Sequence, residues 1–467
     1  MIIFKLIFAF LFPTLLGYLL VSLVAPKNNT LKPLEKLAVS YCIGVGILTF
    51  IMFLIGALNL PMNLPVILTV CCVVFAIPFV LVARKLTAPR FDVAGLVAKL
   101  KRLKWYEWLL SFLIVLRISF SYFSALIKPI GDVDAFANWS LRAKGFFFSH
   151  GLSLSRTHGY FAGGGQPYYP INIPLFETWI YTALGTWNDL LVKAIFPTFL
   201  LALVIIFYYS MRRIYSRPLS LFSAYLLTTL PLLIYHSSSS YTDFPLCVYF
   251  STAVFFLINY LESRDNSHLM ISALLVGIGA WTKSEGFYLV LVCAAALAVF
   301  LMIKDKDRPI ITKELLLYIL PGFVLKAAWS LFNIVYRIPK EIWQNIEYGK
   351  VAENLYRVPV IFERFYKRFF FYGNWNIAWF VFVVMVIIML LPMRGRSTVR
   401  QLYSLMICAL CLLAFMMTYY ITPSYTWLLD GTTVNRNTLI IMPVVIFFVS
   451  SGITSILEHK SNTVGKK

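Results

Sequence analysis

Two carboxylates stand two residues apart in Gly131-Asp132-Val133-Asp134, directly after an apolar run and at the head of the longest polar-rich interruption in the first half of the chain. Acids are scarce here, 20 Asp and Glu against 41 Lys and Arg, and a pair at the rim of an apolar span costs desolvation free energy. Such a cost suggests that the pair has a function, and the rim is read as holding a catalytic carboxylate. Other polar residues stand between apolar runs further on: His236 with Ser237 to Ser240, then Tyr241-Thr242-Asp243-Phe244-Pro245, then Trp281-Thr282-Lys283-Ser284-Glu285-Gly286, then Asn435-Arg436-Asn437. Each has a bland reading. Asp134 and Asp243 could cap helix N-termini, Lys283 and Glu285 could pair only with each other, and Arg436 could snorkel to an interface. Capping leaves Asp132 without a role, and it does not exclude catalysis by Asp134.

The elements that must position these groups are membrane helices. Sixty per cent of the 467 residues are apolar, and they fall in runs of about 20, the length that crosses a ~30 Å hydrocarbon core. Lipid offers the backbone no hydrogen-bond partners, so such runs are helices. The fold expected is an all-α polytopic membrane protein. Thirteen spans are predicted, near residues 1–25, 37–58, 62–83, 105–127, 190–211, 218–235, 242–261, 267–282, 286–303, 314–335, 374–393, 401–421 and 437–457. The first lacks a basic n-region and a small-x-small cleavage site, and is read as a retained span. The seven cysteines all lie inside apolar runs without ligand spacing and are read as packing residues.

A net charge of +21 would suggest nucleic acid in a soluble chain; here the cations sit mostly in short loops, and no nucleic-acid partner is expected. The segment 84–104 carries seven cations against Asp92, which makes it cytoplasmic by the positive-inside rule. Alternation then puts Arg212, Arg213, Arg217, Lys304, Lys306, Arg308, Arg394, Arg396, Arg400 and the Lys466-Lys467 tail inside, and the N-terminus outside. Segments 128–189, 236–243, 336–373 and 422–436, with the turn around Trp281 to Gly286, share the outer face. Only 336–373 breaks the charge rule, either as noise in a long loop or as a basic wall facing an anionic lipid or saccharide.

Residues Asp134 to Phe148 fit a helix lying along the membrane surface. Ala135, Phe136, Trp139, Ala143, Phe146 and Phe147 share one face, and Asp134, Asn138 and Arg142 form the opposite stripe. Gly163-Gly164-Gly165-Gln166-Pro167-Tyr168-Tyr169-Pro170 reads as a flexible hinge that stiffens into an extended aromatic segment. Arg117 and Lys326 lie inside spans and are expected to face the bundle interior.

At these residues the chain resembles the GT-C class of polyprenyl-phosphate-sugar-dependent membrane glycosyltransferases, nearest the protein O-mannosyltransferase and lipid A aminoarabinose transferase group. The resemblance covers roughly residues 105–457. It rests on Gly131-Asp132-Val133-Asp134-Ala135 with Trp139 and Ala143-Lys144, on Tyr169-Pro170 with Pro174, on Tyr241-Thr242-Asp243-Phe244-Pro245-Leu246, on Thr282-Lys283-Ser284-Glu285-Gly286, and on Arg436. Three spans precede the matching region, where well-known members place the catalytic loop after the first. Their first-loop acid is usually Asp-Glu, whereas Ala135 follows Asp134 here. Asp134 is therefore the preferred match and Asp132 the second choice.

The resemblance implies an inverting transfer from a polyprenyl-phosphate sugar to an acceptor hydroxyl on a glycan, lipid or protein. Asp134 would be the base, Lys283 and Arg436 would hold the departing phosphate, and Asp243 would orient the acceptor or join Asp134 in holding a divalent cation (Mg or Mn). Some members use a metal and others do not. Glu285, Asn138, Arg142, Tyr169 and His236 are the expected supporting residues. A physical point agrees: nucleotide-sugar enzymes need a soluble domain of ~100 residues or more to hold the nucleotide, and no such segment is visible. The expected organisation is a three-helix membrane region over 1–104 ending in a basic cytoplasmic segment, a transmembrane catalytic region over 105–457, and a cytoplasmic tail over 458–467. In a bacterium the plasma (inner) membrane would be the location, with the site on the outer side. The competing reading, a transporter or flippase of a polyprenyl-linked saccharide, predicts paired repeats and midplane charges.

Overall fold

The computed structural model describes residues 1–25, 31–83, 103–154, 163–304, 312–340, 345–391 and 398–464. The basic segment 84–104 apart from its last two residues, Lys306, Arg308, Arg394, Arg396 and the Lys466-Lys467 tail lie outside the described residues. The described elements are helices, with no strand among them. In chain order they are α1 (Ile2–Val24), α2 (Pro33–Ala57), α3 (Leu64–Ala83), α4 (Trp105–Leu126), a π-turn (Ala135–Trp139) running into α5 (Ser140–Ser149), α6 (Asn172–Leu184), α7 (Ile195–Arg212), α8 (Arg217–Thr228) and α9 (Pro231–His236). Then come α10 (Asp243–Ser263), α11 (Asn266–Thr282), α12 (Gly286–Lys304), α13 (Lys313–Val335), α14 (Arg357–Phe370), α15 (Ala378–Leu390), α16 (Val399–Ile421), α17 (Tyr425–Leu429) and α18 (Thr432–Val464).

Ten of the described helices are long and apolar enough to span a bilayer, three fewer than the thirteen expected. The shortfall has local causes. Helical continuity fails within 218–235, where Pro231 supplies no backbone donor and starts a new helix, splitting the run into α8 and α9. At 267–282 the Asp265 side chain accepts from Ser267 N at 2.9 Å and fixes the start of α11, which ends at Thr282 after 17 residues. Among the described residues of 374–393, the 13 of α15 are helical.

Charge and hydrogen bonds mark two distinct ends of the bundle. At one end Arg213 pairs with Glu35 at 2.6 Å, Arg217 with Glu107 at 2.5 Å, and Arg400 with Glu262. At the other, Lys5 Nζ donates to Leu184 O at 2.8 Å, Met62 N to His150 O at 2.7 Å, and Glu347 N to Ile421 O at 2.8 Å. The segments expected to share a face thus meet at one end. Between the ends, α10 is buried from Asp243 to Leu261 and packs on α7, α11 and α18. It forms the central post of the body and carries Asp243 to the polar end.

Six of the seven cysteines are buried, consistent with packing; Cys72 faces outward. Arg117 departs from expectation, because its side chain is exposed on the outer face of α4 beside Leu116 and Phe120. Lys326 is half-buried on α13.

Candidate active site

Asp243 opens α10 with its carboxylate enclosed and both oxygens engaged. Oδ1 accepts from Lys283 Nζ at 2.9 Å; Oδ2 accepts from Arg436 Nε at 3.1 Å and Nη2 at 2.9 Å. Arg436 Nη1 donates to Asp134 Oδ2, so one guanidinium joins the first loop to the central post. Lys283 also pairs with Glu285 at 3.2 Å. Burial alone would lower Lys283, but Asp243 and then Glu285 outweigh it and hold the ammonium above the usual lysine range. The Tyr241 ring lies 5.0 Å from the Arg436 guanidinium, a cation–π distance. The two aspartates differ in access: the Asp243 side chain is 0 % exposed, that of Asp134 44 %. Only the second is open to solvent.

Each cluster member is held from behind. Asp134 occupies the N-cap position of the π-turn but makes no capping hydrogen bond; its carboxylate goes to Arg436. Beside Lys283, Thr49 Oγ1 donates to Asn172 Oδ1 at 2.7 Å, Asn172 Nδ2 to Thr282 Oγ1 at 2.7 Å, and Trp281 Nε1 to Thr49 Oγ1 at 3.2 Å. This buried chain ties α2, α6 and α11 together where α11 ends. Beside Arg436, Asn437 Nδ2 donates to Tyr419 Oη at 2.8 Å, which donates to Thr433 Oγ1 at 2.9 Å. Asp132 accepts from Tyr235 Oη at 3.1 Å. His236 is buried between the Tyr235 and Tyr241 rings, at 5.2 and 5.5 Å, and burial pushes it down to about 4. It is neutral near neutral pH.

The surface-helix expectation needs correction. Asn138 and Arg142 are buried, whereas Phe136, assigned to the apolar face, is 69 % exposed. The π-turn, in which Ser140 N reaches Ala135 O, inserts a residue and rotates α5 relative to an unbroken 3.6-residue period. Arg142 serves as a brace: Nη1 donates to Tyr169 O at 2.8 Å and Gln166 O at 3.3 Å, and Nη2 to Pro167 O at 3.2 Å. Asn138 Oδ1 accepts from Gln166 N at 2.9 Å. The glycines are likewise no free hinge. Gly163 and Gly165 have φ of +91° and +60°, and a Cβ at Gly165 would lie 2.8 Å from Asn138 Oδ1. Only glycine makes this left-handed turn so close to the helix. Tyr169 packs edge-on against Trp139 at 5.3 Å.

The cations of 336–373, read either as noise in a long loop or as a basic wall, are partly spent on bracing. Arg357 is buried and donates to the carbonyls of Tyr419, Tyr420 and Thr422 and to Glu347. The metal assignment does not fit. Arg436 stands between Asp134 and Asp243, the second oxygen of Asp243 is taken by Lys283, and no group of three His, Cys, Asp or Glu converges among the described residues. Tyr235, Thr49 and Asn172 escape a sequence reading, since hydroxyl and amide groups within apolar runs give no periodic or charge signal.

Together these features define an integral, multi-pass, all-α membrane protein whose sparse charges are gathered at one end of the bundle. The model of the family described as dolichyl-phosphate-mannose-protein mannosyltransferase matches residues 173–331. The match includes His236, Asp243, Lys283 and Glu285 and stops short of Asp132, Asp134 and Arg436. The matched region is 159 of the chain's 467 residues, and it is that region which is similar to the family. No curated protein matches the chain.

Proposed function

We propose that the protein moves a sugar, with inversion, from a polyprenyl-phosphate donor to an acceptor hydroxyl at the non-cytoplasmic face of the membrane. The observation that carries this reading is the single guanidinium of Arg436 shared by a half-exposed carboxylate, Asp134, and an enclosed one, Asp243. A donor phosphate competes with Asp134 for Arg436. Its arrival leaves Asp134 free to act as a base, so the base is released only when donor is present.

In the reaction Asp134 accepts the proton of the acceptor hydroxyl as that oxygen attacks the anomeric carbon from the face opposite the phosphate. The bond from that carbon to the phosphate oxygen breaks through an oxocarbenium-like transition state, and its electron pair leaves with the polyprenyl phosphate. Negative charge grows on the departing phosphate, and Lys283 and Arg436 stabilise it. Asp243 holds both cations in position and does not itself meet substrate. Glu285 shares Lys283, Asp132 and Tyr235 shape the rim, and Asn138, Arg142 and Tyr169 fix the loop behind it. The enclosed His236 adds bulk without charge.

Mass spectrometry of cell-envelope glycans and glycolipids, with and without the protein, tests this function. Loss of one glycosylated species with build-up of a polyprenyl-phosphate sugar is expected. An unchanged profile in cells that express the protein and make such a donor overturns it.

A further inference from the structure

The proposed site has too little positive charge for its ligand. Lys283 and Arg436 face the carboxylates of Asp134, Asp243 and Glu285, which leaves one negative charge over when all five are ionised. Both cations are already engaged before an anionic donor arrives. A polyprenyl-phosphate sugar brings one more negative charge, and the departing polyprenyl phosphate bears more. A further cation close to this cluster would offset that charge.

Lys326 meets that need. It lies well inside the span Lys313–Val335, where an ionisable side chain is costly and calls for a function. Among the described residues it makes no hydrogen bond or ion pair. Its level in the bundle follows from packing. A Cβ at Gly322 would lie 2.9 Å from Val290 Cγ2, so these two positions of α13 and α12 abut. The helices run in opposite senses. Moving towards the polar end leads from Gly322 to Lys326 on α13 and from Val290 to Glu285 on α12, about 6 and 7.5 Å at ~1.5 Å per residue. The two side chains are thus level, and Lys326 is within electrostatic reach of Glu285. One Glu285 oxygen, Oε2, is buried without a hydrogen-bond partner. Nearer the polar end, Trp329 Nε1 donates to Tyr168 O at 3.0 Å, which closes that flank. Exposed Lys340 adds charge in the same neighbourhood.

We propose that Lys326 is a phosphate-positioning residue, the cation on α13 that receives the lipid-linked phosphate as it reaches Lys283 and Arg436. This rests on the donor class proposed above. The test is equilibrium binding of a radiolabelled polyprenyl monophosphate to the full chain in nanodiscs of zwitterionic lipid, with uncharged polyprenol as reference. Lys326→Gln should weaken polyprenyl monophosphate binding about 10- to 100-fold, the range of a charged hydrogen bond, and leave polyprenol binding unchanged. Lys326→Arg should restore most of the affinity. Within a Glu285→Gln background, adding Lys326→Gln should still weaken polyprenyl monophosphate binding about 10-fold or more; if Lys326 only neutralised Glu285, it would have no effect there. Wild-type affinity in Lys326→Gln, or no further loss in the Glu285→Gln background, overturns the proposal. So does equal competition by an anionic phospholipid added to the disc, which would make Lys326 a general headgroup contact. A wild-type protein that binds polyprenyl monophosphate no better than polyprenol removes the donor reading itself.

Discussion

Among single residues, the two aspartates joined through Arg436 do different work because they differ in access to solvent. Asp243 is enclosed and satisfies Lys283 and Arg436, both themselves largely buried. Removing its charge leaves Lys283 with Glu285 alone and Arg436 with the half-exposed Asp134 alone, and breaking such a buried pair costs on the order of 3–5 kcal/mol. Asp134 is half-exposed, and water can replace much of what its carboxylate gives Arg436, so its loss should cost about 1 kcal/mol or less. Asp243→Asn should therefore lower thermal stability in detergent markedly, while Asp134→Asn melts close to wild type. Equal melting temperatures for the two variants would show that Asp243 is not the hub. Scarcity at span ends marks both aspartates, Lys283, Glu285 and Arg436 in the sequence. It cannot divide roles between Asp134 and Asp243, because burial depends on packing between residues more than a hundred positions apart.

Among the helices and turns, α6 offers a direct probe of how the first loop is seated. Glu177 is fully buried there; Oε1 accepts from Ser140 Oγ at 3.1 Å and Oε2 has no partner. Burial pushes this carboxyl up to about 8, well above its unfolded range. The folded protein keeps the proton that the unfolded chain gives up near pH 4.5. Stability from this group is complete below that pH and is lost as pH rises towards 8, by at most about 1.4 kcal/mol per pH unit. Thermal unfolding from about pH 6 to 8.5 should show the wild type losing stability and Glu177→Gln staying flatter. A variant with the same pH slope would place the titration elsewhere. The π-turn before α5 explains why an unbroken helical period misplaces the polar stripe. Likewise the Gly163–Gly165 run advertises flexibility, although its positive φ angles and contact with Asn138 make it a packed turn. Local composition does not reveal such a tertiary constraint.

Across the whole molecule, apolar run length is enough to read off the helical membrane body, and charge alternation groups the loops that meet at one end. Hydropathy overcounts long spans, since it does not register a helix split at Pro231 or ended at Thr282. It also sends Arg117 inward, because nothing in the spacing of α4 distinguishes a lipid-facing arginine from an interior one. What the fold accomplishes is to bring α10, the α11–α12 turn, the start of α18 and the first loop to a single charged cluster. If this cluster performs sugar transfer, Asp134 is the base. Single-turnover transfer from a radiolabelled polyprenyl-phosphate sugar by the purified full chain in nanodiscs, for wild type and Asp134→Asn, addresses that role without intermediaries. Donor binding should survive in the variant while the rate of product formation falls by about 10²–10⁴-fold; product formation at the wild-type rate would refute it.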